Sequence, residues 1–68
     1  MIRILDKNGK EVPSGAIVSD REGNQAVLLA AIQLNQPGKD GKVLVRWVDG
    51  DFQHTYYARI FGLTVEES

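Results

Sequence analysis

Turn-forming residues recur along this chain at short, regular intervals, and no other feature restricts its fold as much. Asn8-Gly9, Pro13-Ser14-Gly15, Glu22-Gly23-Asn24, Pro37-Gly38 with Asp40-Gly41, and Asp49-Gly50-Asp51 each supply the residues that tight turns need. Between them lie short apolar segments at 2–6, 16–19, 25–34, 42–49, 52–58 and 63–66. Short apolar runs between regular turn signals predict an all-β sandwich or barrel of five to six short strands. That number is too small for an immunoglobulin-type sandwich.

Length makes this one domain spanning residues 1–68, since a 68-residue chain cannot be divided into two cores. A core this small is marginal without a staple or a partner. There is no cysteine, so no disulfide supplies the staple, and packing or self-association must. No cysteine and a single histidine also remove the zinc patterns and cysteine-nucleophile chemistry. The formal net charge of -1 argues against a broad electrostatic surface for nucleic acid. The longest unbroken apolar stretch runs from Ala26 to Ile32, too short for a signal peptide or a membrane span, which makes the cytoplasm the expected location.

Segment 25–34 (QAVLLAAIQL) is apolar on every side. Its alanines and leucines suit a helix, but it lacks a capping box and its neighbours are β, so a strand buried on both faces is expected. Simple alternation would turn Leu28, Ala30 and Ile32 inward and Val27, Leu29 and Ala31 outward. Residues 57–62 (YARIFG) suit a single 3₁₀ turn before the last strand.

Segments 42–49 and 52–58 read as a hairpin with a two-residue turn at Asp49-Gly50 or Gly50-Asp51. One face then carries Val43, Val45, Trp47, Phe52, His54 and Tyr56, and should line the core. The other carries Leu44, Arg46, Val48, Gln53, Thr55 and Tyr57, a mixed set suited to a partner. Val27, Leu29, Leu44 and Val48 together would make an apolar patch that a small monomer should not leave open. Either the N-terminal hairpin 2–12 or a second copy of the chain must cover it.

From Gly15 onward the order is Gly15-Ala16-Ile17-Val18, then Asp20-Arg21-Glu22-Gly23, a long strand, and Asp40-Gly41-Lys42-Val43-Leu44-Val45-Arg46-Trp47-Val48-Asp49. This resembles the Tudor-like group of SH3-like barrels, whose pattern is G-x-x-V, an acidic-Gly turn, a bent strand, and D-G-K-V-x-V-x-[FW]-x-D. The resemblance covers about residues 15–65 and implies a small SH3-like barrel, with strand 2–6 as an N-terminal addition. Tudor-like domains commonly hold methylated lysine or arginine in an aromatic cage. Here Gln25 and Ala26 occupy the first-loop cage positions and Asp49-Gly50-Asp51 replaces D-Y-G, so the cage is incomplete. Residues 52–56 (FQHTY) are loosely similar to the V-Q-I-Y segment of the plasmid-borne dihydrofolate reductases, tetramers of small barrels, with Gln53 at the Gln position. That similarity implies an oligomeric reductase holding its cofactor at Gln53 and Tyr56.

Chemistry is sparse elsewhere. His54 has no legible nucleophile or carboxylate partner and reads as a structural residue at the barrel rim. Asp49 and Asp51 lack calcium-loop spacing, and residues 38–41 (GKDG) lack that of a phosphate loop. No metal and no cofactor are expected. The reading that results is a non-enzymatic binding or adaptor module that engages protein, as a homo-oligomer. Arg46, Gln53, Thr55, Tyr57 and Arg59 form its contact set, and Val27, Leu29, Leu44 and Val48 its oligomer or partner surface. The alternative is nucleic-acid binding through Arg46, Tyr57, Arg59 and Lys42.

Overall fold

The computed structural model describes residues 1–50 and 52–67. Strands form at β1 (Ile2–Leu5), β2 (Ile17–Ser19), β3 (Gln25–Gln33), β4 (Lys42–Trp47), β5 (Gln53–Tyr57) and β6 (Thr64–Glu67), with a 3₁₀ turn at Ala58–Phe61. The expected strands are all present, and the apolar segment at 25 onward is a strand rather than a helix. They form two antiparallel sheets, β2-β3-β4-β5 and β1-β6. Among the described residues the ladders do not close into a barrel. Among the described residues no helix is long and apolar enough to cross a membrane.

The loops follow from local hydrogen bonding. In the first, Asp6 Oδ1 accepts from the backbone N–H groups of Asn8 (2.8 Å) and Lys10 (2.9 Å). In the second, Asp20 Oδ1 accepts from those of Glu22 and Asn24, each at 2.9 Å. Both share the pattern D-x-x-G-x. Gly9 N–H donates to Asp6 O and Gly23 N–H to Asp20 O, and both glycines have positive φ, 83° and 86°. The first turn is therefore centred on Lys7-Asn8 with a left-handed glycine after it, not on Asn8-Gly9. The aspartate clamp outweighs the Asn-Gly preference for a two-residue turn. The β4–β5 loop is also longer than two residues. Trp47 N–H donates to Phe52 O (3.0 Å) and closes the ladder, and residues 48–50 form the turn. The register, Val45 opposite His54, is the one an Asp49-Gly50 turn implies. The alternative turn ends on Asp51, which lies outside the described residues.

The core lies between the two sheets. Val18, Ala26, Leu28, Val43 and Val45 come from the four-stranded sheet, Ile4 and Val65 from the other, and Ala58, Phe61 and Leu63 from the connection between β5 and β6. The N-terminal strand thus packs on the core side. It pairs with β6 and meets residues 11–12 through Val12 N–H to Ile4 O (2.7 Å). It does not cover the opposite face of the four-stranded sheet.

Strand β3 departs from simple alternation. Its register against β4 shifts between Leu28 and Ala30 and again between Ala31 and Gln33. Each shift is a bulge, where one extra residue exchanges the two faces for everything beyond it. Ala26 and Leu28 face the core before the first bulge, and Ala31 packs against it after. Leu29 and Ala30 share the place opposite Leu44, and Ile32 is 54% exposed. The expected inward positions of Ala30 and Ile32, and the outward one of Ala31, are corrected accordingly.

The inner face of the β4–β5 hairpin is only partly dry. Val43 and Val45 are fully buried, and Trp47 and Tyr56 are half-buried against the core, but Phe52 (47%) and His54 are exposed. Tyr56 meets Phe61 of the 3₁₀ turn, with ring centroids 6.2 Å apart, whereas Phe52 and His54 lie further along β5 and are exposed. The core positions expected for Phe52 and His54 are therefore not occupied.

Asn35 ties the end of β3 to β6. Its N–H donates to Val65 O (2.8 Å), and its side-chain oxygen accepts from Gly41 N–H (2.6 Å). Gly41 is buried there, and a Cβ on it would stand 2.8 Å from Gln33 O, closer than packing allows.

The bulges predict opposite costs for neighbouring substitutions. Ala31→Asp should lower stability by about 2 kcal/mol, through an unpaired carboxylate set against the core. Ile32→Asp should stay within about 0.5 kcal/mol. Urea unfolding of both variants checks this; equal losses contradict the bulged register.

Candidate functional site

Three alternate rows of the β4–β5 ladder bring the expected contact residues to one face. Arg46 stands opposite Gln53, Leu44 opposite Thr55, and Lys42 opposite Tyr57. Arg59, in the following 3₁₀ turn, comes back to the Tyr57 ring with its guanidinium carbon 5.4 Å from the centroid. Lys42 Nζ lies 5.3 Å from the same centroid. Both distances are within cation–π reach, so two cations contact the ring. Arg59 also pairs with Asp40 at 3.2 Å. Both side chains are well exposed, so the pair contributes little to stability and serves mainly to orient the guanidinium.

The apolar part of this face lies beside the polar part. Val27 is opposite Arg46 on β3, and Leu29 is at the bulge facing Leu44; all three apolar side chains are half-buried. Val48, just past β4, is 51% exposed. Ile17, opposite Val27 on β2, is 55% exposed and extends the patch. Sequence reasoning placed Ile17 in a strand but not on this surface. The signal was its position next to Val18, which the core claims.

Charge is distributed unevenly. Strands β2 to β5 carry Lys42 and Arg46 and no aspartate or glutamate. The carboxylates lie in the connecting segments and, as Glu66 and Glu67, at the end of β6. The outer face of the four-stranded sheet is thus apolar and cationic.

A second feature lies at the far end of β4. A cleft of about 260 Å³ is lined by Asp20, Asn24, Gln25, Trp47, Asp49, Gly50 and Phe52. Trp47 Nε1–H donates to the Tyr56 hydroxyl (2.8 Å), and the two rings meet edge-on at 5.4 Å. Phe52 and His54 are edge-on at 5.0 Å, and His54 and Tyr56 lie 6.0 Å apart. His54 is therefore part of an exposed aromatic row. Gln53 and Tyr56 fall on opposite faces of β5.

The carboxyl of Asp20, in the cleft wall, has a shifted titration. Desolvation raises its pKa, but the Asn24 side chain and the backbone N–H groups of Asn24, Glu22 and Gly23 hydrogen-bond to it and hold it below its ordinary value. Asn24 Nδ2 donates to Oδ2 at 3.2 Å.

No known family model, curated protein or solved structure matches this chain.

The Asp20 clamp has a pH signature. A carboxyl whose native pKa is depressed stabilises the fold fully above its unfolded value, and that contribution is lost as pH falls through the native value. An NMR titration should place the Asp20 midpoint below the ordinary carboxylate value of about 3.9. In Asn24→Ala the midpoint should move up. An unchanged midpoint contradicts the clamp.

Proposed function

We propose that this chain is a small non-enzymatic binding module of the SH3-like, Tudor-like kind, which engages protein through the outer face of its four-stranded sheet and acts as a homo-oligomer. The order of strands, with a 3₁₀ turn before the last, supports the SH3-like part of the reading. The observation that carries the binding part is the uncovered outer face. Ile17, Val27, Leu29, Leu44 and Val48 surround Arg46, and the second sheet packs on the other side. Buried apolar area supplies affinity, and the positive charge of Arg46 beside it favours a partner surface that carries acidic residues. A protein surface with apolar and acidic residues meets both requirements.

Nucleic acid is the second reading, because Lys42, Arg46 and Arg59 are the charges gathered at this face and two of them contact the Tyr57 ring. The apolar half of the face favours protein. Phosphate recognition has no use for Ile17, Val27 and Leu29, and its affinity would fall steeply with salt.

Photocrosslinking separates the two readings. A photoreactive side chain at Val48, in cell extract, should give discrete products that are protein and resist nuclease. Arg46→Glu should reduce them about tenfold, equivalent to about 1.4 kcal/mol. The same group at Lys7, in the first loop, should not give them. Products that nuclease removes, or equal labelling from both positions, contradict the protein reading.

A further inference from the structure

We propose that the free edge of β5 pairs antiparallel with the same edge of a second copy, about a two-fold axis through Thr55. This rests on the homo-oligomeric part of the reading above and specifies the contact.

Hydrogen-bond parity fixes which backbone groups of β5 are open. Trp47 N–H donates to Phe52 O, and Ala58 N–H donates to Gly41 O at 2.9 Å, one at each end of the β4–β5 ladder. In an antiparallel pair the bonded rows alternate. Residues 52, 54, 56 and 58 therefore turn their backbone groups toward β4. Gln53 and Thr55 turn both N–H and C=O away from the sheet, and Tyr57 its N–H, while the Tyr57 C=O caps the 3₁₀ turn and keeps one lone pair for a further donor. Among the described residues no strand pairs with that side of β5.

An open edge of this kind invites another strand unless charge, proline, a bulge or short length blunts it. Strand β5 (QHTYY) contains no proline, lysine, arginine or carboxylate, and its register with β4 is continuous. The other edge of the same sheet, β2, has only three residues. In the second sheet β6 ends in Glu66-Glu67 and β1 contains Arg3, so β5 is the unguarded edge.

The occupant follows from the register. Antiparallel pairing of two β5 strands about Thr55 sets Thr55 against Thr55, and Gln53 against Tyr57 in both directions. Every outward N–H and C=O then has a partner, and no like charges meet. The contact is isologous and closes on itself, so it stops at a dimer. The eight-stranded sheet that results places the two Arg46-centred faces side by side on one surface. A second copy thus gives the module two adjacent binding faces.

The chain has no cysteine, so a single introduced thiol reports the register. Thr55→Cys should form a disulfide dimer in air, because bonded pairs hold their Cα atoms about 5.5 Å apart, within disulfide range. Gln53→Cys should do so at least tenfold more slowly, since its copies are offset by four residues, roughly 13 Å. Native mass spectrometry should give twice the 7.5 kDa chain mass for the wild type and for Val27→Glu. Thr55→Pro should give the single mass. Its lost N–H points off the sheet, so β4 pairing survives, with circular dichroism as the check. If that variant unfolds, Thr55→Lys replaces it and should weaken dimerisation at least tenfold, less so in high salt.

A wild type that stays monomeric at millimolar concentration overturns both this proposal and the homo-oligomeric reading. A dimer that survives Thr55→Pro but is lost in Val27→Glu overturns the edge pairing alone and assigns self-association to the outer face. Equal crosslinking from positions 53 and 55 also overturns it.

Discussion

The whole structure depends on how one strand serves two surfaces. Strand β3 is apolar on both sides, and the chain is too short to bury both. Two bulges resolve the conflict. They keep Ala26, Leu28 and Ala31 toward the core while setting Val27, Leu29 and Ile32 on the other side. A bulge also strengthens twist, which bends the strand far enough for Asn35 to reach β6. The same device thus builds the core, links the two sheets and leaves an apolar face outside.

That outer face and the core are made from alternate residues of the same strands, so neither can be altered independently. Val43 and Val45 are fully buried, while Leu44 between them and Arg46 beyond them look outward. The carboxylates are kept to loops and chain ends, where Asp6 and Asp20 clamp two turns of the same design. The sheet keeps only cations. Stability and recognition are therefore assigned to different parts of the chain by charge as well as by side-chain direction.

Much of the fold was legible because turn chemistry and strand length are local properties. Gly23, Pro37-Gly38 and the Asp49-Gly50 turn mark loops where the structure has them, and the strand limits differ from the expected ones by only a residue or two. The shared face of Arg46, Gln53, Thr55 and Tyr57 was legible because the hairpin register follows from parity. The bulges were not, since nothing in QAVLLAAIQ marks where a backbone group skips its partner; that depends on the bend needed to meet β6. The exposure of Phe52 and His54 was hidden for a similar reason. Alternation gives the direction of a side chain but not whether another sheet extends far enough to cover it. The packing of β1 on the core side depended on a pairing with β6, at the opposite end of the chain.

Methyl NMR with a soluble paramagnetic agent tests the bulged strand most directly. The Ile32 and Ile17 methyls should broaden strongly, and those of Leu28, Val43, Val45, Val65 and Ala31 should be protected. Protection of Ile32 together with broadening of Ala31 would mean that β3 alternates without a bulge, and the division between dry core and outer face drawn here would be wrong.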